Sequence, residues 1–396
     1  MRYDHHNGWI PSYPRLDEQG NETAEQLPRI DDVIDWNHVS PRLGFAYVAT
    51  RDQKTVVRGS AGVYRDGNVS GNWDYPPPGV PPSQVFLQDP ETGLYDTLLF
   101  EIVTDEFNID PDLEAPRTVQ YALGADRQFG DSWSLGAQLV YKDTDNLVGW
   151  EILNDGVYEP FFYTDFETGK VFELANIIEQ PTVRKGNRPG PGSAAGAGAE
   201  YQQKYRAVLL TFQKRFRNSG SLQGSYTYSK STGLIPRMLS ATQFNPFYGS
   251  REGADPNNSI NADQHLQGDR KHMFRLEGNY LLPWDFELTG VINLQSGRAH
   301  NRQTRVPLNQ GLTTFIVEPA SDDNRLPSTA LIDLAIGKRF KLPRDTVLKI
   351  DAQVFNLLNE DAPQFWETLV LQPGDRFVPS EWVLPRRVML RVGLQF

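Results

Sequence analysis

Apolar and polar residues alternate with a period of two along much of the chain, the spacing of strands whose two faces meet different environments. At the C-terminus Val388, Leu390, Val392, Leu394 and Phe396 fall on one face, and Met389, Arg391, Gly393 and Gln395 on the other. The pattern recurs at Ile332, Leu334 and Ile336, at Leu348, Ile350, Ala352 and Val354, and at Phe274, Leu276, Tyr280 and Leu282. Nearer the N-terminus it appears at Val208, Leu210 and Phe212, at Leu222, Tyr226 and Tyr228, and at Trp133, Leu135, Ala137, Leu139 and Tyr141. Val119, Tyr121 and Leu123, then Val57, Ala61 and Val63, then Leu43, Phe45 and Tyr47 complete the set. By this criterion the chain holds about eleven strands.

Turn formers join some of these strands closely, at 50–54, 130–132, 217–220, 283–285 and 343–345. The other connections are long: 66–115, 143–203, 231–268, 298–327 and 359–383. Short and long connections alternate strictly. Compact soluble domains rarely hold several long loops without regular structure, whereas outer-membrane barrels have short periplasmic turns and long extracellular loops. The last strand follows a long loop and so runs from outside to periplasm. Phe129, Trp133, Phe216, Trp284, Phe286, Phe340 and Phe396 cluster near the short turns, where rings suit a membrane–water interface.

The faces opposite the apolar ones are polar. They carry Arg58, Ser60, Gln138, Thr211, Thr227, Arg275, Glu277, Asp333, Lys349, Asp351, Gln353 and Arg391. A sandwich or small barrel would bury apolar residues there, so the polar set implies a wide lumen holding water or a polar plug. The expected fold is therefore all-β: an antiparallel transmembrane β-barrel portion of about 11–12 strands. Composition agrees with this. No apolar run reaches the ~18 residues of a membrane-crossing helix. The absence of Cys excludes disulfides and thiol chemistry, and the net charge of −11 argues against nucleic acid as partner.

Several stretches resemble the barrel of TonB-dependent outer-membrane receptors, in particular the group bearing a carboxypeptidase-regulatory-like domain. They include Ser40-Pro41-Arg42-Leu43-Gly44-Phe45, Lys214-Arg215-Phe216 leading to Gly224-Ser225-Tyr226-Thr227-Tyr228, and Asp269-Arg270-Lys271-His272. Ser296-Gly297-Arg298, Val354-Phe355-Asn356-Leu357-Leu358-Asn359 and the terminal Phe396 follow in the family's order. The resemblance implies a barrel of about 22 strands around a plug, with uptake of a large nutrient across the outer membrane. Residues 1–396 would be the C-terminal portion, lacking the plug and the first strands. The polar opening Met1-Arg2-Tyr3-Asp4-His5-His6 reads as the outer end of a strand begun elsewhere. The partners so implied are outer-membrane lipid, the plug, the TonB energy-coupling protein and the barrel assembly machinery.

Site expectations follow from these readings. Arg58, Arg275, Glu277, Asp333, Lys349, Asp351 and Arg391 would face the lumen and hold the plug. Val388, Leu390, Val392, Leu394 and Phe396 would form the assembly-signal strand. The loop aromatics Trp73, Tyr75, Trp150, Tyr158, Phe161, Tyr163, Tyr248 and Trp366 would contact ligand, the alternative being that they pack the loops on one another. Asp31, Asp32 and Asp35, and the carboxylates of 255–263, read as solvated acidic loops rather than Ca²⁺ ligands. The Gly- and Ala-rich run 190–198 reads as a flexible loop tip. No catalytic constellation, cofactor motif or metal site emerges. A free-standing small barrel for binding or adhesion is the second reading, and a soluble all-β glycan-binding or hydrolytic protein the third.

Overall fold

A computed structural model describes the chain except residues 18, 66–82, 89–91, 103–108, 218, 237–254, 267, 344–345, 367–370 and 396, and gives only the backbone of 83–88 and 96–102. Phe396, Trp73, Tyr75 and Tyr248 lie outside the described residues.

The long strands are β1 (Arg42–Val48), β2 (Thr55–Arg65), β3 (Arg117–Phe129), β4 (Trp133–Asp145), β5 (Gln202–Arg215) and β6 (Gly220–Leu234). They continue as β7 (His272–Leu282), β8 (Phe286–Gln295), β9 (Thr329–Lys341), β10 (Val347–Phe355) and β11 (Arg387–Gln395). Each pairs antiparallel with its neighbour in sequence, giving one uninterrupted meander from β1 to β11; among the described residues this sheet gains one further short strand, Asp263–His265, paired with β6. Ten of these are the strands that the alternation names; β8 carries none of the named sets and falls between the short turn at 283–285 and the long connection at 298–327. The sheet is open, and β1 and β11 are its edges. Both edge strands run from the long-loop side to the short-turn side, so they point the same way.

Register keeps the apolar side chains on one face across every strand. Tyr228 pairs with Val208, Val208 with Leu139, Leu139 with Leu123 and Leu123 with Gly59. On the other edge Val392 pairs with Ile350, and Leu390 with Ala352. A one-residue slip anywhere would turn a strand's apolar set to the polar face. These side chains are not covered by protein: Leu43 is 76% exposed, Leu139 55%, Val388 74%. Such a belt is stable only against hydrocarbon. Two glycines on it are roofed by aromatic rings from the next strand, since a Cβ at Gly59 would stand 2.2 Å from the Phe45 ring and one at Gly224 2.4 Å from that of Phe212. The rings fill the space and shield the bare backbone.

The buried apolar clusters lie instead in the loops. Ile34, Trp36, Leu113, Ala115 and Val148 form one; Phe172, Leu174, Val306, Phe315 and Val317 a second; Leu147, Tyr201 and Leu234 a third. The long connections are therefore not irregular, contrary to the sequence expectation. They carry hairpins of their own, pairing Val157–Thr164 with Val171–Glu179, Arg302–Leu308 with Gly311–Glu318, and Pro363–Trp366 with Pro379–Trp382. The run 190–198 is likewise not a free tip at its start. Gly192 donates to the Ile152 carbonyl at 3.0 Å, and a Cβ at Gly190 would meet that oxygen at 2.3 Å. Arg2–Ile10 does not add a twelfth strand to the sheet. It pairs with Ile30–Ser40, with Arg2 level with Ser40 just above β1.

Candidate functional site

The polar face carries all the charges expected to line the lumen. Arg58 donates to Asp126 at 2.6 Å, across from β2 to β3. Arg275 and Glu277, two apart on β7, pair at 2.6 Å. Lys349 lies 3.4 Å from Glu287 and 3.3 Å from Asp351, and Arg339 approaches the same Glu287 at 3.4 Å. Asp333 is drawn elsewhere, its Oδ1 accepting from the Asn356 backbone N–H at 2.7 Å. Arg391 stands opposite Asp351 in register, and among the described residues forms no ion pair. Most of these side chains are part-exposed, so each pair adds at most about 1 kcal/mol. Together they present a lattice of paired charge on this face.

Above the sheet, ion pairs knit the loops together. Arg302 donates to both Asp165 oxygens at 2.9 and 2.7 Å and also meets Glu318 and Glu167. This guanidinium holds the Asp165 carboxyl well below the usual carboxylate range. Asp269 is almost fully buried and gathers His265 at 2.9 Å and Arg325 at 2.5 Å; Arg325 continues to Asp322, which also meets Lys271. The Lys271 ammonium is the main reason the Asp322 carboxyl falls to about 2. Glu151 accepts from Arg184 at 2.8 Å and Arg188 at 2.9 Å.

The loop aromatics divide. Trp150 is 2% exposed, with the Lys185 ammonium 4.0 Å over its ring, and cannot meet a ligand in this arrangement. Its side chain packs loop on loop, the alternative weighed above. Tyr163 is edge-on to Phe315 at 5.7 Å, and its hydroxyl bonds Thr304 at 3.2 Å. Tyr158 is half-buried and Phe161 exposed, on the Val157–Thr164 strand. Trp366 stacks on Phe377 at 5.3 Å, with the His300 ring against both. Beside this cluster Arg298 covers Phe365 at 4.0 Å, and burial together with Arg298 pulls Arg270 down to about 10. Sequence reasoning singled out Trp366 but missed His300, Phe377 and the two arginines. Arg270 and Arg298 were visible only as parts of family-like motifs. Partners such as Phe377 and Trp366 meet only through loop pairing.

The acidic candidates for Ca²⁺ are used structurally. Asp31 pairs with Arg29 at 2.5 Å, Asp32 accepts from Asn7, and Asp255 caps the turn at Asn257. Among the described residues no three His, Cys, Asp or Glu side chains converge on a metal-sized point.

Residues 18–297 match the family described as Outer membrane beta barrel domain. The TonB-dependent transporter Oar of Myxococcus xanthus is 22% identical over 267 residues, which cover 63% of this chain and 22% of Oar. Among solved structures, the outer membrane transporter YddB of Escherichia coli superposes with a TM-score of 0.50 at 13% identity, over 98% of this chain and 49% of its own. The chain thus spans less than half the length of either relative. Both are named as transporters rather than enzymes. With well over half of its residues matched, this chain belongs to the outer membrane beta barrel domain family and is an outer-membrane protein of Gram-negative type.

Proposed function

We propose that residues 1–396 form the C-terminal portion of the barrel of a TonB-dependent receptor that takes up a large nutrient. The observation that carries this reading is the common direction of β1 and β11. An antiparallel sheet of eleven strands in sequence order could close on itself only by pairing its two edges parallel, whereas bacterial single-chain barrels hold an even number of strands. Fully antiparallel closure requires an odd number of further strands between those edges.

In this reading loop residues such as Phe161, Tyr158, Tyr163 and Trp366 contact the nutrient, together with Trp73, Tyr75 and Tyr248. Arg58, Arg275, Glu277, Asp333, Lys349, Asp351 and Arg391 grip the plug through exposed ion pairs. Pairs worth little individually in water release one after another when TonB pulls. Val388, Leu390, Val392 and Leu394, with Phe396, present the edge taken up by the barrel assembly machinery.

An antibody against residues 157–179 tests the reading on outer-membrane fractions. The expected result is a heat-modifiable polypeptide well above 44.8 kDa, whose loss abolishes a TonB-dependent uptake. A heat-modifiable species at 44.8 kDa whose function is indifferent to TonB would replace it with the free-standing barrel.

A further inference from the structure

We propose that the outer edge of the Val157–Thr164 strand seats an extended, basic peptide, which joins the loop hairpin as a third strand. The two edges of this hairpin are finished differently. On the Val171–Glu179 strand, backbone groups pointing away from the hairpin are closed by side-chain amides. The Ala175 N–H donates to Asn257 at 2.8 Å and the Ile177 N–H to Gln310 at 3.0 Å. The Ala175 carbonyl accepts from Gln310 at 2.9 Å, and that of Ile177 from Asn309 at 3.1 Å. That edge is full.

The opposite edge is open. Facing residues of an antiparallel pair either bond each other or both point away. Ala175 faces Pro160, Glu173 faces Phe162 and Val171 faces Thr164, so Pro160, Phe162 and Thr164 point outward. Two observations agree with this phase. The next residue, Asp165, donates inward to the Lys170 carbonyl at 2.9 Å. Pro160 sits where a strand tolerates proline, with its missing N–H on the free side. The N–H groups of Phe162 and Thr164, and the carbonyls of Pro160, Phe162 and Thr164, meet no partner among the described residues. All three residues are exposed. Such a row of unpaired donors and acceptors is a template for another strand.

Side chains and charge select the occupant. Phe162 is 63% exposed and Val171 57%, on the face turned away from the buried cluster of Phe172 and Phe315. An apolar side chain opposite Phe162 would cover them. Residues 155–179 carry six carboxylates and one cation, Lys170. Arg302 meets Asp165 and Glu167. Asp155, Glu159, Glu173 and Glu179 are exposed, and among the described residues none of the four forms an ion pair. Pairing with the same edge of a second copy would set like charges side by side, whereas a basic strand would meet opposite ones. That the peptide is the nutrient rests on the uptake reading; the open edge itself does not.

The test uses the protein extracted from outer membranes in detergent and a fluorescent peptide that alternates lysine with valine around a central phenylalanine. Anisotropy is expected to show binding. The same peptide N-methylated at every amide keeps its charge and side chains but cannot extend the ladder, and should bind at least about tenfold more weakly. Thr164→Pro removes one edge donor and should weaken the unmodified peptide about fivefold. Glu173→Gln/Glu179→Gln should weaken it and flatten its salt dependence. The N-methylated peptide needs no variant, so the test survives a variant that does not fold. Equal affinity for the two peptides overturns the proposal. So does wild-type protein that self-associates in light scattering while Thr164→Pro stays monomeric, since a second copy would then hold the edge. Binding is read without TonB, so its failure leaves the uptake reading standing, and TonB-independent entry of a bound peptide counts against that reading alone.

Discussion

Arg302 and Asp165 are 137 positions apart, yet Arg302 donates two hydrogen bonds to Asp165, of 2.9 and 2.7 Å, and both side chains are almost fully buried. They join the 146–201 loop to the 296–328 loop beside the cluster of Phe172, Phe315 and Val317. Removing the cation strands a buried carboxylate. Arg302→Met is expected to weaken the docking of these loops by about 3–5 kcal/mol, leaving the barrel sheet intact. Hydrogen exchange should show lost protection in Val171–Glu179 and Gly311–Glu318 and none in β3–β5; unchanged loop protection would refute the assignment.

Acid should act through the same pair. The folded Asp165 carboxyl titrates below its unfolded value, so its contribution is fully present above about pH 4–5. It is lost as pH falls towards the depressed folded value. Asp322, at about 2, acts in the same direction between the loops it bridges. Loop proteolysis with an acid protease should therefore accelerate below about pH 4 in the wild type. Arg302→Met should show a flatter profile.

Lys185 acts at the alkaline end, where stability again rises with pH. It is 1% exposed, no carboxylate among the described residues pairs with it, and burial brings its ammonium down to about 8. The unfolded chain holds this proton up to about pH 10.4, so the loop gains stability as pH rises from about 8 towards that value. Lys185→Met should match or exceed the wild type at pH 7 and lose the alkaline gain. Cleavage rates within 180–200, read as the ratio of variant to wild type, decide it; a strongly destabilised variant at pH 7 would contradict the account.

On the membrane face, Ile292 sits mid-strand between Ile332 and Leu276. Ile292→Arg should cost about 2–4 kcal/mol in urea unfolding from lipid vesicles. The same change at Asn293, one residue on and facing the lumen, should cost far less. Equal penalties would mean that the assigned faces are wrong.

If the polar face grips a plug, reversing its charges should impair uptake and not assembly. Lys349→Glu removes the cation that meets both Glu287 and Asp351. The expected outcome is normal heat-modifiability with altered TonB-dependent uptake. Wild-type uptake would remove Lys349 from the proposed plug contacts.

The period-two pattern and the turn residues determined the eleven strands, their order, and which face meets lipid and which the lumen. These properties are local. A strand's two faces are set by alternation, and a meander joined by short turns leaves each strand one neighbour to pair with. The roles of the loop residues were not local. Trp150 and Phe161 look alike in sequence, but one lies under Lys185 and the other stands exposed. Loops expected to be irregular hold the buried apolar clusters. The tertiary structure alone decided these, because burial and ion pairing there depend on which distant loops meet, and neither periodicity nor composition encodes that meeting.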